Sequence, residues 1–177
     1  MKKKLLLYAI FFLLAVPVLE MLNEVSGIDR FATGGEAFAQ YVDTAWVRRY
    51  DGPGNSSEFL EAMAIDNSGN VYITGVSAGS GTDDDYATIK YYSNGDTAWV
   101  RRYNGTGNGY DQARDLKVDD SGNVYVTGRS RGSETLDDIV TIKYNPNGDT
   151  VWLRRYNGAE TFSDYVRVLA IDGSGNV

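Results

Sequence analysis

The sequence predicts an all-β chain built from four-stranded antiparallel blades of a β-propeller. Three observations lead there. A unit of 53 residues recurs in phase, opening with Asp-Thr-Ala-Trp-Val-Arg-Arg-Tyr at Asp43, again at Asp96, and as Asp-Thr-Val-Trp-Leu-Arg-Arg-Tyr at Asp149. Each unit divides at Gly- and Asn-bearing turn signals into four short runs rich in β-branched and aromatic residues. Beyond the N-terminal segment, no window carries a sustained helical apolar stripe. Four strands in about 40–50 residues, joined by hairpins and repeated, describe a propeller blade. An open β-solenoid or a row of separate β modules is the alternative.

The first run is Leu60 to Ile65, repeated at Ala113 to Val118 and Val166 to Ile171. Met63 and Ile65 alternate around Ala64, and Leu116 and Val118 around Lys117, the period of a half-buried strand. The second run is Val71 to Thr74, repeated at Val124 to Thr127; the third is Tyr86 to Tyr91, repeated at Ile139 to Tyr144. The fourth is Thr97 to Tyr103, with equivalents at Thr44 to Tyr50 and Thr150 to Tyr156. Asp66-Asn67-Ser68-Gly69-Asn70 and Asp119-Asp120-Ser121-Gly122-Asn123 join the first two runs, with a glycine where a hairpin needs positive φ. Ser93-Asn94-Gly95-Asp96 and Asn145-Pro146-Asn147-Gly148 join the third to the fourth.

Residues 1–39 read as an address. Lys2, Lys3 and Lys4 precede 15 apolar residues, Leu5 to Leu19. That run is short of the roughly 20 residues of a spanning helix and suits a signal peptide. Ala37-Phe38-Ala39 before Gln40 is a small-residue cleavage site, set farther from the apolar run than is usual; an uncleaved anchor is the alternative. Residues 40–177 hold the repeats: 43–95, 96–148 and a partial unit at 149–177. A ring takes about 4–8 blades. The expectation is therefore an incomplete ring whose partners are further blades of a longer chain, with closure by several chains as the alternative.

These residues also resemble a known family. Gly69-Asn70-Val71-Tyr72-Ile73-Thr74-Gly75, Asp85-Tyr86-Ala87-Thr88-Ile89-Lys90-Tyr91 and Trp99-Val100-Arg101-Arg102-Tyr103-Asn104-Gly105 are similar to the bacterial and archaeal seven-bladed β-propeller repeat, SBBP. The resemblance runs from Asp43 to Val177. It implies a propeller in a secreted or cell-surface protein, commonly one part of a multi-module chain. It implies no common catalytic residues.

Composition narrows the chemistry. The net charge of −7 disfavours nucleic acid and anionic lipid, so membrane contact is expected only through an uncleaved N-terminal segment. There is no Cys and no His, which removes disulfides, thiol nucleophiles and the commonest general base and metal ligand. The Asp66 and Asp119 turns could offer oxygen ligands to calcium, or each Asp could cap its own turn. Asp83-Asp84-Asp85 and Asp137-Asp138 could form carboxylate pairs for glycoside cleavage, or a solvated acidic turn facing arginines such as Arg48 or Arg49. Trp46, Trp99 and Trp152, with Arg48, Arg101 and Arg154 and then Tyr50, Tyr103 and Tyr156, share one strand face. They could stack sugars or pack between blades. Gly52 to Asn55 and Gly105 to Asn108 are glycine-rich, a weak phosphate signal because no helix follows.

Repetition favours the architectural alternative for the acidic stretches and the tryptophan face, and the variation through Asn67, Asp120 and Gly173 favours it for the turns, so no catalytic, cofactor or metal residue is assigned. The stretches that vary most are Asp51 to Glu58, Asn104 to Asp111 and Asn157 to Asp164, and Val76 to Asp83 against Arg129 to Leu136. They point to an exported, non-enzymatic module that binds or displays protein or glycan. A carbohydrate-active enzyme with its active site elsewhere, or a purely structural surface element, is the alternative.

Overall fold

The computed structural model describes residues 43–158 and 162–177. The signal or anchor segment expected at 1–39 lies outside the described residues. Eight strands follow in order: β1 (Glu58–Ile65), β2 (Val71–Ala78), β3 (Asp84–Tyr91), β4 (Thr97–Tyr103), β5 (Asp111–Val118), β6 (Val124–Arg131), β7 (Asp137–Tyr144) and β8 (Thr150–Tyr156). They form two antiparallel sheets, β1-β2-β3-β4 and β5-β6-β7-β8, each a blade in simple meander order. All four runs read in the sequence are strands in both blades. The two sheets pack face to face and do not close a ring among the described residues.

Local chemistry sets the register. At the β1–β2 turn the Gly69 N–H donates to Asp66 O at 2.9 Å, with Gly69 at φ 77°, a left-handed conformation that a side chain would strain. Gly122 repeats both features. Between β2 and β3 the Thr74 and Thr88 hydroxyls meet at 2.9 Å, and Thr127 and Thr141 do the same. β1 and β5 each hold one extra residue against their partners. Leu60 and Ala62 pair with consecutive Gly75 and Thr74, and Ala113 and Asp115 with Gly128 and Thr127, leaving Glu61 and Arg114 as bulges. The bulge explains the glycine that ends the second run: a Cβ on Gly75 would lie 1.9 Å from Phe59 O, and one on Gly128 2.0 Å from Gln112 O.

The core lies between the blades. Blade one supplies Tyr72, Tyr86 and Trp99; blade two supplies Ala113, Leu116, Val124, Val126, Val140, Ile142 and Tyr144. Trp99 leaves β4 and donates its indole N–H to Pro146 O at 3.1 Å, at the turn between β7 and β8. Its ring lies where a Cβ on Gly148 would sit. Trp46 makes the same connection one repeat earlier, donating to Ser93 O at 3.1 Å and covering Gly95. The tryptophan face therefore packs between units, as repetition favoured. Arg101 lies along Trp99 and donates to Gly148 O at 2.6 Å.

Two runs differ from expectation. Thr44 to Tyr50 forms no strand beyond a single bridge at Arg48, and Val166 to Ile171 is not strand. A strand exists only against a ladder partner. These segments are held instead by side chains: Trp46 on the first blade, and Asp115 accepting from the Leu169 N–H at 2.7 Å.

Candidate functional site

The two rims of the blades differ in kind. One rim carries the turns after the first and third strands, which repeat closely. There Asp66 Oδ1 accepts from the Ser68 and Asn70 N–H groups, and Oδ2 from Asn70 Nδ2 at 2.8 Å and the Tyr72 hydroxyl at 2.9 Å. Asp119 repeats the set with Ser121, Asn123 and Tyr125. Burial pushes both carboxyls up, but these hydrogen bonds outweigh it and hold them below the usual carboxylate range. Both oxygens are engaged inside the turn, so the Asp caps its own hairpin.

The acidic stretches are less solvated than expected. Asp84 and Asp85 belong to β3, and Asp137 and Asp138 to β7. Asp85 is buried and pairs with Arg102 at 2.9 Å; Asp138 is buried and pairs with Arg155 at 2.7 Å. The expectation of a solvated turn is thus corrected at both positions. The arginine that neutralises each is on the neighbouring strand, at the repeat position of Arg49. Arg102 also donates to Ser77 and to the Tyr50 hydroxyl, and Arg155 to Ser130 and the Tyr103 hydroxyl. Each arginine thereby fastens its blade to the tyrosine of the preceding unit. Asp84 keeps a carboxyl raised first by burial and then by Asp83, Glu58 and Asp85. Its equivalent Asp137 is paired with Arg129 and Arg131 at 3.3 and 3.4 Å.

The glycine-rich stretches are occupied from within. The Gly52 N–H donates to Glu58 Oε1 at 2.9 Å, Gly105 to Asp111 Oδ2 at 2.5 Å, and Gly158 to Asp164 Oδ2 at 2.7 Å. A carboxylate of the chain fills the place a phosphate would take, so the phosphate reading is corrected. Burial raises the Asp111 carboxyl, against hydrogen bonds from Gly105, Ser130 and Arg131.

The other rim holds the stretches that vary between repeats. Within the β2–β3 loop the repeated residues serve the loop itself: Thr82 and Thr135 donate to Asp85 and Asp138. Val76, Ala78 and Asp83 become Arg129, Arg131 and Leu136. Neighbouring loops join across units. The Asp83 N–H donates to Asn108 O at 3.4 Å, and the Asp164 N–H to Asp137 O at 2.6 Å. Arg129 lies against two rings, Tyr110 at 4.7 Å and Tyr165 at 5.6 Å, and nothing of that kind occurs at Val76.

Next to this rim the bulge residue Arg114 pairs with Glu61 at 3.1 Å, and Gln112 donates to Glu61 Oε1 at 2.6 Å. Glu61, Arg114, Tyr165, Val166 and Arg167 line one cavity of about 380 Å³. Sequence reasoning missed this cluster. Its signal was Gly75 and Gly128, which follow the second runs and lie inside β2 and β6, where a glycine marks a bulge.

Fold and rim together define a blade-built repeat protein of the β-propeller kind, with a constant scaffold and one variable rim. Residues 98–133, from β4 through β6, match the family model of the SBBP β-propeller repeat, so the chain carries a repeat of that family. A comparison with curated proteins found no match.

Proposed function

We propose that the chain is an exported, non-enzymatic propeller-repeat module that binds a glycan or a protein outside the cell through its variable rim. The observation that carries this reading is that variable stretches of successive units meet, through the Asp83–Asn108 backbone bond and the bond from Asp164 to Asp137, the residue that follows the 129–136 stretch. A ligand on that rim meets several units at once, and weak contacts add through effective concentration. Export is supported by the three lysines and the 15-residue apolar run at the N-terminus. A binding role is supported by the residue inventory. With no His and no Cys, and with the buried aspartates tied to arginines or backbone, the rim offers contact groups rather than an activated nucleophile.

The test is an array of glycans and surface proteins probed with the full chain, beside an unbiased hydrolase screen. The expected result is saturable binding lost on exchanging the 129–136 loop for the 76–83 sequence. Turnover that survives purification and maps to residues 40–177 would replace this reading with that of a carbohydrate-active enzyme. Binding indifferent to the loop exchange would remove the rim from it.

A further inference from the structure

We infer that the junction of the two blades holds a second binding site, on the constant rim, for the hydroxyl groups of a neutral sugar. It goes beyond the variable-rim reading and stands on different residues.

Three turns meet at the junction. The β1–β2 turn brings Asp66 and Ser68, the β5–β6 turn brings Asp119, Asp120 and Ser121, and the β7–β8 turn brings Pro146. Between them lies a cavity of about 320 Å³, at the small end of the range that small-molecule sites occupy. Every wall belongs to one of the two complete blades. Lys90 of β3 also lines the cavity. The residue is 8% exposed, yet its ammonium meets one acceptor among the described residues, Pro146 O at 3.3 Å. The centre of the Tyr72 ring lies 5.2 Å away. An ammonium carries three N–H donors, and a buried donor left unmade is costly. Two donors of Lys90 therefore remain for an occupant of the cavity.

The rest of the lining divides by what already engages it. Asp66 and Asp119 are taken up by their own turns. Ser68 and Ser121 serve those turns through their backbone N–H groups alone. Their hydroxyls and the Asp120 carboxylate are on exposed residues and bond to no other described residue. Ile65, Val118 and Pro146 add an aliphatic side.

Charge decides the ligand class. The Lys90 ammonium repels a metal cation, and the carboxylates of Asp66, Asp119 and Asp120 repel an anion. A neutral ligand escapes both. It has to accept from Lys90, donate to Asp120, exchange bonds with two serines and turn C–H groups to the aliphatic side. A hexose meets all four demands, because each of its hydroxyls both donates and accepts. A protein anchor would call for a desolvated apolar pocket instead. The arrangement also recurs: Lys143, Tyr125 and Ser174, at the repeat positions of Lys90, Tyr72 and Ser121, line the cavity at the following junction. Like sites at successive junctions suit a polymer of one sugar, which can engage several of them together.

The experiment titrates the full chain by calorimetry with a soluble glucan, mannan and galactan, and beside them with polygalacturonate, chitosan oligomers and calcium chloride. At least one neutral polymer is expected to bind, and each charged probe to bind at least about tenfold more weakly. Added salt should leave the neutral polymer's affinity nearly unchanged. Ser68→Tyr and Ser121→Tyr fill the cavity from exposed positions whose turn bonds use the backbone, so a retained denaturation midpoint verifies their folding. Each should cost about tenfold in affinity, and Lys90→Met, which keeps an unbranched apolar stem, should cost as much. Exchanging the 129–136 loop for the 76–83 sequence should change nothing. Failure of all three neutral polymers, stronger binding of a charged probe, indifference to Ser121→Tyr, or loss on the loop exchange would overturn the inference. A ligand that depends on the loop exchange and ignores Ser121→Tyr would leave the variable-rim reading standing and remove this site. Neutral-polymer binding that depends on Ser121 and ignores the loop exchange supports this site, whatever becomes of the rim.

Discussion

The inner strand is covered in one blade and open in the other. Leu116 of β5 is 1% exposed, whereas Met63, its equivalent on β1, is 49% exposed; Ala113 is wholly buried, and Leu60 is 36% exposed. The residue types are alike and the backbone bulges at the same place. What differs is the neighbour. Blade two rests against Tyr72, Tyr86 and Trp99 of blade one, while among the described residues the matching face of blade one meets the segment carrying Trp46 and Tyr50. Burial here is conferred by the adjoining unit and is not a property of the blade, the behaviour of a stacked array. The opening is confined to β1: Leu60 borders a pocket whose other apolar walls, Ile73, Val76 and Ile89, are buried.

The comparison can be broken most sharply at the tryptophans. Trp99→Ala removes a ring packed between two blades and should cost about 3–5 kcal/mol in urea denaturation of the full chain. Trp46→Ala removes a ring backed by one blade and should cost about 1–3 kcal/mol. Equal losses would mean that the 43–50 segment carries the weight of a whole blade. The inner strand gives the next effect. Leu116→Ala is expected to cost about 2–4 kcal/mol, and Met63→Ala about 0.5 kcal/mol or less. A costly Met63→Ala would show that the face is covered in solution.

The bulge should respond alike in both blades. Gly75→Ala and Gly128→Ala each drive a methyl group into a backbone carbonyl, and each should cost about 1–3 kcal/mol by the same denaturation measurement. A neutral substitution at either position would mean that the β1 or β5 backbone moves freely there. The smallest effect is on pH dependence. Asp119 titrates below its ordinary value, so its contribution is present above the unfolded value and lost as pH falls through the native one. Asp111 titrates above its ordinary value. Its ionisation opposes folding, and lowering the pH relieves it. Asp119→Asn should therefore flatten the fall in stability below about pH 4. Asp111→Asn removes that opposing term, which acts above the ordinary carboxylate value, and should abolish the relief gained as pH falls through the raised native value towards about pH 4. Identical acid limbs for both variants would contradict this division of roles.

Turns, strand order and the direction of tryptophan packing were legible in the sequence because each depends on short-range chemistry repeated in phase. Asp66 and Gly69 specify their hairpin wherever it lies, and Trp99 repeats a position too regular for a single site. The ends of strands were less legible. Asp84 and Asp85 look like a turn until Arg102, 17 residues from Asp85, is placed beside them by the β3–β4 ladder. The cavity around Arg114 was hidden for a further reason. A bulge is a mismatch between two strands, visible only once they are paired, and the meeting of Glu61, Arg114 and Arg167 depends on the stacking of three units.

The fastening between units has a consequence for how such a gene can change. Trp46 and Trp99 each meet a carbonyl 47 residues downstream, and Arg102 and Arg155 each meet a tyrosine 52 residues upstream. Loss of residues 51–103 would bring Pro146 to the place Ser93 now holds before Trp46, and Arg155 to the hydroxyl of Tyr50. Unequal crossing-over in steps of one unit therefore alters the number of blades while keeping the tryptophan–carbonyl and arginine–tyrosine contacts in place. A shift of any other length would break all of them together.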